Sequence, residues 1–196
     1  MGDDDLVRRL RAGDGSAFTE LVNAYHPSMV RLAQTFVPSR AIAEEVAQET
    51  WLAVLKGIDG FEGRSSLKTW IFHILANRAR STGVREQRTV PVDVGDEGSV
   101  DRRRFDEGGA WSAPPAHWSD DIVEKLSSGA FLARVQDALS QLPDSQRAVV
   151  TLRDLDGLSS KEVCDVLEIS EANQRVLLHR GRSRIRATFE DEVAKR

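Results

Sequence analysis

The 196-residue chain is 40% hydrophobic and 30% charged, a composition typical of a soluble protein with one large or two small domains. No apolar run approaches the roughly 20 residues that a membrane-spanning helix needs. The N-terminus lacks the basic-then-apolar order of a secretory signal. Because the single Cys164 excludes an intrachain disulfide, we expect a cytoplasmic protein that is not inserted in a membrane.

The net charge of −4 would by itself argue against a nucleic-acid partner, but this charge is unevenly placed. Residues 1–90 carry 12 basic and 11 acidic side chains, and residues 129–196 carry 11 of each. Residues 91–128 carry 4 basic and 9 acidic side chains. The excess acid therefore lies in the middle of the chain, and local patches matter more than the sum.

The N-terminal part of the chain contains three predicted helices. Acidic residues at the start of the chain precede a short helix that ends at Gly13. Asp14 can cap a second helix, which Pro27 is expected to kink or restart. Ser39 opens a third helix, which closes at Gly57.

The third helix carries a polar set with two interpretations. One is a solvated helix face with the tryptophan packed into the core, and the other is a docking face for a basic partner. The members of the set are Glu45, Gln48, Glu49 and Trp51.

A loop with three glycines precedes a fourth predicted helix, which Ser66 can cap. This helix places Trp70 and other aromatic residues among Lys68, Arg78 and Arg80. Aromatic rings beside basic side chains suit the stacking of unpaired bases along a positively charged track. The alternative is that Trp70 and its apolar neighbours belong to the core.

Residues 91–128 interrupt the helical pattern with three prolines, several glycines and the acidic excess. We expect a flexible acidic linker with little regular structure of its own. Trp111 and Trp118 are unusual in a solvated tether, and they are candidates for docking on this chain or on a partner.

The C-terminal part predicts four helices. An amphipathic helix ends at Pro143, and Asp144 or Ser145 is expected to cap the next helix, which stops before Gly157. The third helix begins at a capping box, in which Ser159 is followed three residues later by Glu162.

Ser170 can cap the fourth of these helices, which begins at Glu171 after a tight turn. A short helix, a tight turn and a longer helix form a helix-turn-helix, whose second helix usually enters the major groove of DNA. The first turn of that helix carries Asn173, Gln174 and Arg175, and these residue types can pair with adenine or guanine.

The same helix has a basic face, since the twelve residues from Arg175 to Arg186 contain no acid. Such a face can contact phosphates and release counterions. The alternative is a solvated surface helix whose cations suit the C-terminal helix dipole. The capped short helix before the basic helix favours DNA binding. The candidate phosphate contacts on the basic helix are Arg180, Arg182 and Arg184.

The whole pattern predicts an all-α protein with two small helical domains, joined by a flexible acidic linker, and a helix-turn-helix in the C-terminal domain. We place the domains at residues 1–90 and 129–196. An enzyme has weak support, because the four histidines are scattered and the chain has no paired metal-ligand or phosphate-binding glycine motif. We therefore expect no catalysis, no cofactor and no metal.

Two blocks of sequence resemble one family. Residues 43–52 (Ala-Glu-Glu-Val-Ala-Gln-Glu-Thr-Trp-Leu) and the glycine loop with the fourth helix, residues 61–80, resemble region 2 of the extracytoplasmic-function (ECF) sigma factors of bacterial RNA polymerase. Residues 139–163, which begin Leu-Ser-Gln-Leu-Pro-Asp, resemble their region 4. Both blocks in this order, with an acidic linker between them, make the resemblance specific.

The resemblance implies a protein that binds core RNA polymerase, recognises promoter DNA and opens it. The polar set of the third helix would dock on the clamp helices of the largest polymerase subunit. The C-terminal domain would sit on the flap of the second-largest subunit and read the −35 element. Base contacts would come from Asn173, Gln174 and Arg175, and phosphate contacts from Arg180, Arg182 and Arg184.

For the −10 element, the resemblance implies that the Phe61–Ser65 loop and the start of the fourth helix capture an unstacked base of the non-template strand. The helix would also hold the adjoining backbone. The candidate residues are Phe61, Arg64, Ser65, Lys68, Trp70, Asn77, Arg78 and Arg80.

Family members are commonly held inactive by an anti-sigma factor, which adds a further expected partner. The alternative function is a stand-alone helix-turn-helix transcriptional regulator whose N-terminal domain senses a signal or dimerises. It would explain the C-terminal motif but not the glycine loop that leads into an aromatic and basic helix.

Overall fold

The computed structural model describes residues 3–89 and 129–194. Helix is the only regular secondary structure in these two ranges, which confirms the all-α prediction. The linker expected at residues 91–128, with Trp111 and Trp118, lies outside the described residues. The eight α-helices in the described ranges are α1 (Asp3–Arg11), α2 (Gly15–Ala33), α3 (Arg40–Gly57), α4 (Leu67–Thr89), α5 (Gly129–Ser140), α6 (Asp144–Val150), α7 (Ser160–Leu167) and α8 (Glu171–Ala194).

The described residues form two compact units. The first contains residues 3–89 together with residues 143–182, and the second contains residues 129–142 together with residues 183–194. The candidate interfaces of α3, α4 and α7 and the first half of α8 therefore lie in the first unit.

The predicted caps of α2 and α3 form where the sequence pattern placed them. Asp14 accepts hydrogen bonds from the amides of Ser16 and Ala17 at the start of α2. Ser39 does the same for Ile42 at the start of α3. Such caps satisfy backbone donors that have no partner within the helix.

Pro27 lies inside α2, so the helix does not restart there, and Leu21 and Met29 on either side of the proline are buried in the same core. The expected cap of α6 is wrong. Neither Asp144 nor Ser145 caps α6; Pro143 occupies the cap position without a side-chain bond. Helix α6 then passes into one π-helical turn, Thr151–Leu155, which the sequence pattern did not predict.

Helices α2, α3 and α4 pack against one another around an apolar core. Burial of large aliphatic and aromatic side chains supplies the main stabilising free energy of such a bundle. The largest fully buried members are Leu21, Met29, Leu32, Val54, Leu67, Ile71, Phe72 and Leu75.

Two glycines permit close backbone approach. A Cβ on Gly83 in α4 would lie 2.0 Å from the carbonyl oxygen of Phe36, which follows α2. A Cβ on Gly181 in α8 would lie 2.6 Å from Cγ2 of Val150 at the end of α6. Only glycine allows these two crossings without displacement of the neighbouring segment.

We predict that Gly83→Ala lowers the free energy of unfolding by about 1–3 kcal/mol, because the added methyl group meets a backbone carbonyl that cannot rotate away. Urea denaturation followed by circular dichroism measures the change. Gly15→Ala is the matched control, since a Cβ there meets nothing within 4 Å. Equal stability of the two variants would show that the crossing tolerates a side chain.

Candidate nucleic-acid interface

Helix α3 presents an exposed stripe on the face that the polar set predicted. Glu45, Gln48 and Glu49 are exposed along it. Leu52 and Leu55, which are 58% and 44% exposed, continue the same stripe at helical spacing. Sequence reasoning missed these two leucines, although their positions three and six residues after Glu49 were a usable signal.

Trp51 lies beneath this stripe and not on it. Its side chain is only 6% exposed, its indole Nε1 donates to Nδ1 of His26 at 3.3 Å, and its ring packs edge-on against Phe18. A direct contact between Trp51 and a partner would require the bundle to open, so its burial favours a supporting role.

Arg11 in α1, distant in sequence, stabilises the loop before α4. The guanidinium of Arg11 donates to the carbonyl oxygens of Phe61 at 2.6 Å and Ile58 at 3.1 Å. The ring of Phe61 is buried against Trp70, with their centroids 5.2 Å apart. Arg11 was not a candidate from the sequence, because a contact across about 50 residues leaves no local pattern.

The remaining loop candidates have different environments. Arg64 is exposed and forms an ion pair with Glu62 at 3.0 Å. The hydroxyl of Ser65 donates to the carbonyl of Ser66 at 3.3 Å. Arg64 is therefore the loop candidate most accessible to a phosphate, whereas Phe61 is covered.

The candidates on α4 are partly exposed; Lys68, Asn77 and Arg80 are called the α4 face below, and Arg78 points to another side, toward α3. Lys68 Nζ lies 5.7 Å from the ring centroid of Phe72, and the guanidinium of Arg80 lies 5.5 Å from that of Phe36. Arg80 also donates to Asn77 Oδ1 at 3.0 Å. These contacts hold two cations and an amide in place along the helix, which reduces the conformational entropy lost when they bind a ligand.

Arg78 faces α3, where it pairs with Glu49 at 3.2 Å. Both side chains remain substantially exposed, so this pair contributes little to stability and exchanges readily with other partners. The pair connects the α3 stripe, the candidate polymerase contact, with α4, which carries the candidate DNA contacts.

The helix-turn-helix consists of α7 and α8. Ser159 Oγ accepts from the amide of Glu162, and the carboxylate of Glu162 accepts from the amide of Ser159, so the predicted capping box is complete. The hydrogen bond from the Ser159 amide, with further bonds from Ser159, Thr69 and Ser66, lowers the pKa of Glu162 from its ordinary value to about 2. The turn continues through Glu168 in a left-handed conformation, φ 55°.

The three base-contact candidates in the first turn of α8 differ in exposure. Asn173 and Arg175 are exposed, and Arg175 forms an i,i+4 ion pair with Glu171 at 3.2 Å. Gln174 is only 1% exposed, and its amide has no hydrogen-bond partner among the described residues. Gln174 therefore faces the interior of the motif, away from the surface that a duplex would contact.

The phosphate candidates lie further along α8. The guanidinium of Arg182 makes a bidentate pair with Asp154, at 2.6 and 2.9 Å. The hydrogen bonds and charge of Asp154 raise the pKa of Arg182, and the bidentate geometry fixes the orientation of its guanidinium. Arg180 and Arg184 are partly exposed.

Family models match both parts of the chain. The model described as "Sigma-70 region 2" matches residues 21–89, and the model described as "Sigma-70, region 4" matches residues 132–185. The first range contains the α3 stripe and the α4 face, and the second contains α7 and the first part of α8.

Whole-chain comparisons agree with these matches. ECF RNA polymerase sigma-E factors of Salmonella typhimurium and Escherichia coli K12 are each 30% identical to this chain over 185 residues, which cover 94% of this chain and 93% of the relative. The corresponding factor of Haemophilus influenzae is 29% identical over 187 residues, with 94% of each chain covered.

Solved structures show the same fold. The structure of CnrH in complex with the cytosolic domain of CnrY has a TM-score of 0.61 at 22% identity and covers 96% of this chain and 97% of that chain. The sigma factor RpoE from Bartonella quintana, in complex with the anti-sigma factor NepR, has a TM-score of 0.63 at 21% identity and covers 88% of this chain and 96% of that chain.

A region 2 bundle and a region 4 helix-turn-helix in one chain define a sigma-70-type transcription factor. Within that class the chain belongs to the ECF family, and it is an RNA polymerase sigma factor. A stand-alone regulator is not favoured, because it would not account for the region 2 match. Sigma factors are not a class of enzymes. Among the described residues, no helix has the length and apolar character needed to span a bilayer.

We predict that Glu162→Gln removes a pH-dependent part of the stability. Because the folded pKa of Glu162 is about 2 and its ordinary value is 4.5, its carboxylate stabilises the fold above about pH 4.5, and this contribution is lost as the pH falls towards 2. The variant should be about 1 kcal/mol less stable near pH 6, after allowance for solvent screening, and equal to the original chain near pH 2.

Urea denaturation at several pH values from 2 to 6 measures this difference. Glutamine retains a capping-box partner for Ser159, so the helix start is preserved. Asp165→Asn, an equal change of charge on an exposed residue of α7, is the control and should show no such trend. A difference that stayed constant with pH would contradict the lowered pKa.

Proposed function

We propose that this sigma factor directs promoter-specific initiation by three separate contacts. The α3 stripe docks on the largest subunit of core RNA polymerase, the α4 face holds the unpaired −10 strand, and α8 reads the −35 duplex. The observation that carries the proposal is the exposure of Asn173 and Arg175 in the first turn of α8, directly after a fully capped α7. This is the position from which a recognition helix contacts base edges.

At the −35 element, the proposal assigns base contacts to Asn173 and Arg175. An amide can pair bidentately with adenine and a guanidinium with guanine, and each good pair gives about 1–3 kcal/mol of discrimination. Gln174 is buried, so we assign it a role in packing α8 within the motif. Arg180, Arg182 and Arg184 remain the proposed phosphate contacts.

At the −10 element, the proposal assigns the strand backbone to Lys68, Asn77 and Arg80, with Arg64 and Arg78 beside them. Flipping a base costs a few kcal/mol, and stacking it on a protein surface returns about 1–3 kcal/mol. Capture can therefore trap a strand that has opened by thermal fluctuation. Since Phe61 is buried against Trp70, we assign the pair to shaping the pocket wall, with Ser65 at its rim.

For polymerase docking, the α3 stripe offers both charge and apolar area. Glu45, Gln48 and Glu49 suit a basic partner surface, and Leu52 and Leu55 add exposed apolar groups whose burial would supply binding free energy. The C-terminal domain, residues 129–196, is proposed to contact the second-largest subunit. The protein would act in the cytoplasm, where the polymerase is.

An anti-sigma factor is a further proposed partner. CnrH is seen with the cytosolic domain of CnrY, and RpoE of Bartonella quintana with the anti-sigma factor NepR. These fold relatives support regulation of the present chain by a protein that binds it directly. Co-purification from the native host would identify such a partner.

We predict that the full chain with core RNA polymerase initiates transcription at discrete sites of the host genome. Sequencing of transcript 5′ ends after reconstitution measures this directly. Asn173→Ala and Arg175→Ala should each reduce initiation about tenfold, because each removes one bidentate base contact. Arg8→Ala, which removes an exposed cation from α1, is the control and should initiate normally. Absence of any discrete start would refute the proposed function.

We also predict that Leu52→Arg weakens binding to core RNA polymerase by about tenfold or more. Burial of one leucine side chain contributes about 1.5–3 kcal/mol, and an arginine would add a charge among the contacts. Fluorescence anisotropy of the labelled chain measures the affinity. Val84→Arg is the matched control, because Val84 is similarly exposed, at 54%, on a different helix. Equal affinities of the two variants would remove the α3 stripe from the interface.

A further inference from the structure

The loop that leads into α4 is buried at both ends and exposed between them. We call residues 61–66 the capture loop. Phe61 at its start is 9% exposed, and Leu67 directly after it is fully buried, whereas residues 62–64 are exposed. The conformation of the exposed part therefore depends on what fixes the two ends.

Arg11, in the last turn of α1, binds the first end of the capture loop. Its Nε donates to the carbonyl oxygen of Ile58 at 3.1 Å, and its Nη2 donates to those of Asp59 at 3.3 Å and Phe61 at 2.6 Å. The donors of a planar guanidinium point in fixed directions, and hydrogen bonds from a charged donor are stronger than neutral ones. One side chain thus fixes the relative positions of three backbone carbonyls where the chain enters the loop.

Asp3, at the start of α1, binds the other end. Its Oδ2 accepts from the amide of Leu67, the first residue of α4, at 2.7 Å. This amide has no partner within its own helix, and a carboxylate is favourable at the positive end of a helix dipole. Asp3 and Arg11 are eight residues apart in one helix, so their backbones lie about 12 Å apart along its axis. A single helix therefore sets the separation of the two ends of the capture loop.

Helix α1 is itself fixed to the N-terminal bundle. Val7 and Leu10 are each 6% exposed and belong to the apolar core. Arg9 pairs with Asp14 at 2.8 Å, and Asp14 caps α2. The two side chains that bind the capture loop therefore extend from a helix whose own position is determined by packing and by the start of α2.

We propose that Arg11 and Asp3 are positioning residues for the capture of the unpaired −10 base. Through them, α1 holds the capture loop in the conformation that accepts the base before DNA arrives. The inference rests on the proposed function, which assigns this loop and the start of α4 to the −10 strand. A loop that is ordered in advance loses less conformational entropy on binding, so the same contacts give a tighter complex. Neither positioning residue needs to touch DNA.

The bond to Phe61 connects Arg11 with the proposed pocket wall. The carbonyl that accepts from Arg11 belongs to the residue whose ring packs against Trp70, with centroids 5.2 Å apart. Loss of this bond would release the backbone of Phe61, and its ring and the exposed residues that follow would no longer be held in place. We therefore expect the loss of Arg11 to weaken the binding of one base and to leave the contacts with other nucleotides unchanged.

A direct phosphate contact is the alternative role for Arg11, because its side chain is an exposed cation. A phosphate contact carries no information about the base, so its loss would weaken the binding of every strand by the same factor. A general loss of stability would also act on every strand alike. The distinguishing quantity is therefore the dependence of binding on a single base.

The test measures binding of the non-template strand to the holoenzyme. The full chain and its variants are assembled with core RNA polymerase, and the probe is a labelled single-stranded oligonucleotide that covers the −10 element of a start mapped by reconstituted transcription. Fluorescence anisotropy gives the affinity for the intact strand and for a series of strands with an abasic site at each position in turn. With the original chain, an abasic site at one position should weaken binding about tenfold, the loss expected for one stacked base.

Arg11→Ala and Asp3→Ala should each weaken binding of the intact strand severalfold and reduce the abasic penalty at that one position. Both variants should bind the strand that lacks this base as tightly as the original chain does. Arg8→Ala, which removes an exposed cation of the same helix, is the charge control. Val7→Ala is the stability control, because it removes buried apolar groups of α1 but no bond to the capture loop. Both controls should keep the full penalty.

The proposal is overturned if Arg11→Ala or Asp3→Ala keeps the full penalty, or if it weakens the binding of all strands by the same factor. Loss of the penalty in Val7→Ala would also overturn it, because any destabilisation of α1 would then be sufficient. The original chain separates the two levels. If its holoenzyme shows no position at which a missing base weakens binding, base capture itself is refuted, and the inference with it. A position-specific penalty that persists in both alanine variants refutes the inference alone.

Discussion

The first turn of α4 is the point on which the arrangement of the first compact unit depends. A helix start leaves backbone amides without partners, and here the adjacent Ser66 and two distant residues, Asp3 and Glu162, supply oxygen atoms to it. Asp3 of α1 accepts from the amide of Leu67 at 2.7 Å, and Ser66 accepts from the amide of Thr69 at 3.1 Å. Glu162 of α7 then accepts from the Ser66 and Thr69 hydroxyls. One electropositive helix end thus joins the N-terminal helix, the central bundle and the DNA-reading motif.

The parts of this fold that sequence could predict are those governed by neighbours a few residues apart. Asp14, Ser39 and the Ser159–Glu162 box each cap a helix within three residues, so the pattern is visible in the chain itself. The bond from Asp3 to Leu67 and the support of the loop by Arg11 cross about 50 residues or more. No local periodicity records such contacts, and they became visible only in three dimensions.

The candidate site was predictable by residue type but not by exposure. Trp51, Phe61 and Gln174 have the chemistry of interface residues, yet all three are buried. A residue shifts by about 100° around a helix at each step, so neighbours such as Asn173 and Gln174 point to different sides. Which side faces the core depends on the packing partner, and a sequence pattern with mixed polar and apolar residues does not fix that choice.

At the crossing of α6 and α8 beside Gly181, the residues that position α8 differ from the residues proposed to recognise DNA. The backbone and the absence of a side chain at Gly181 determine how closely α8 packs against α6. Asn173 and Arg175 take no part in that crossing. Mutations can therefore replace these two side chains while α8 keeps its orientation relative to the rest of the motif. A scaffold of this kind lets descendants of one gene acquire new target sequences by a few surface changes, with no need to reinvent the fold.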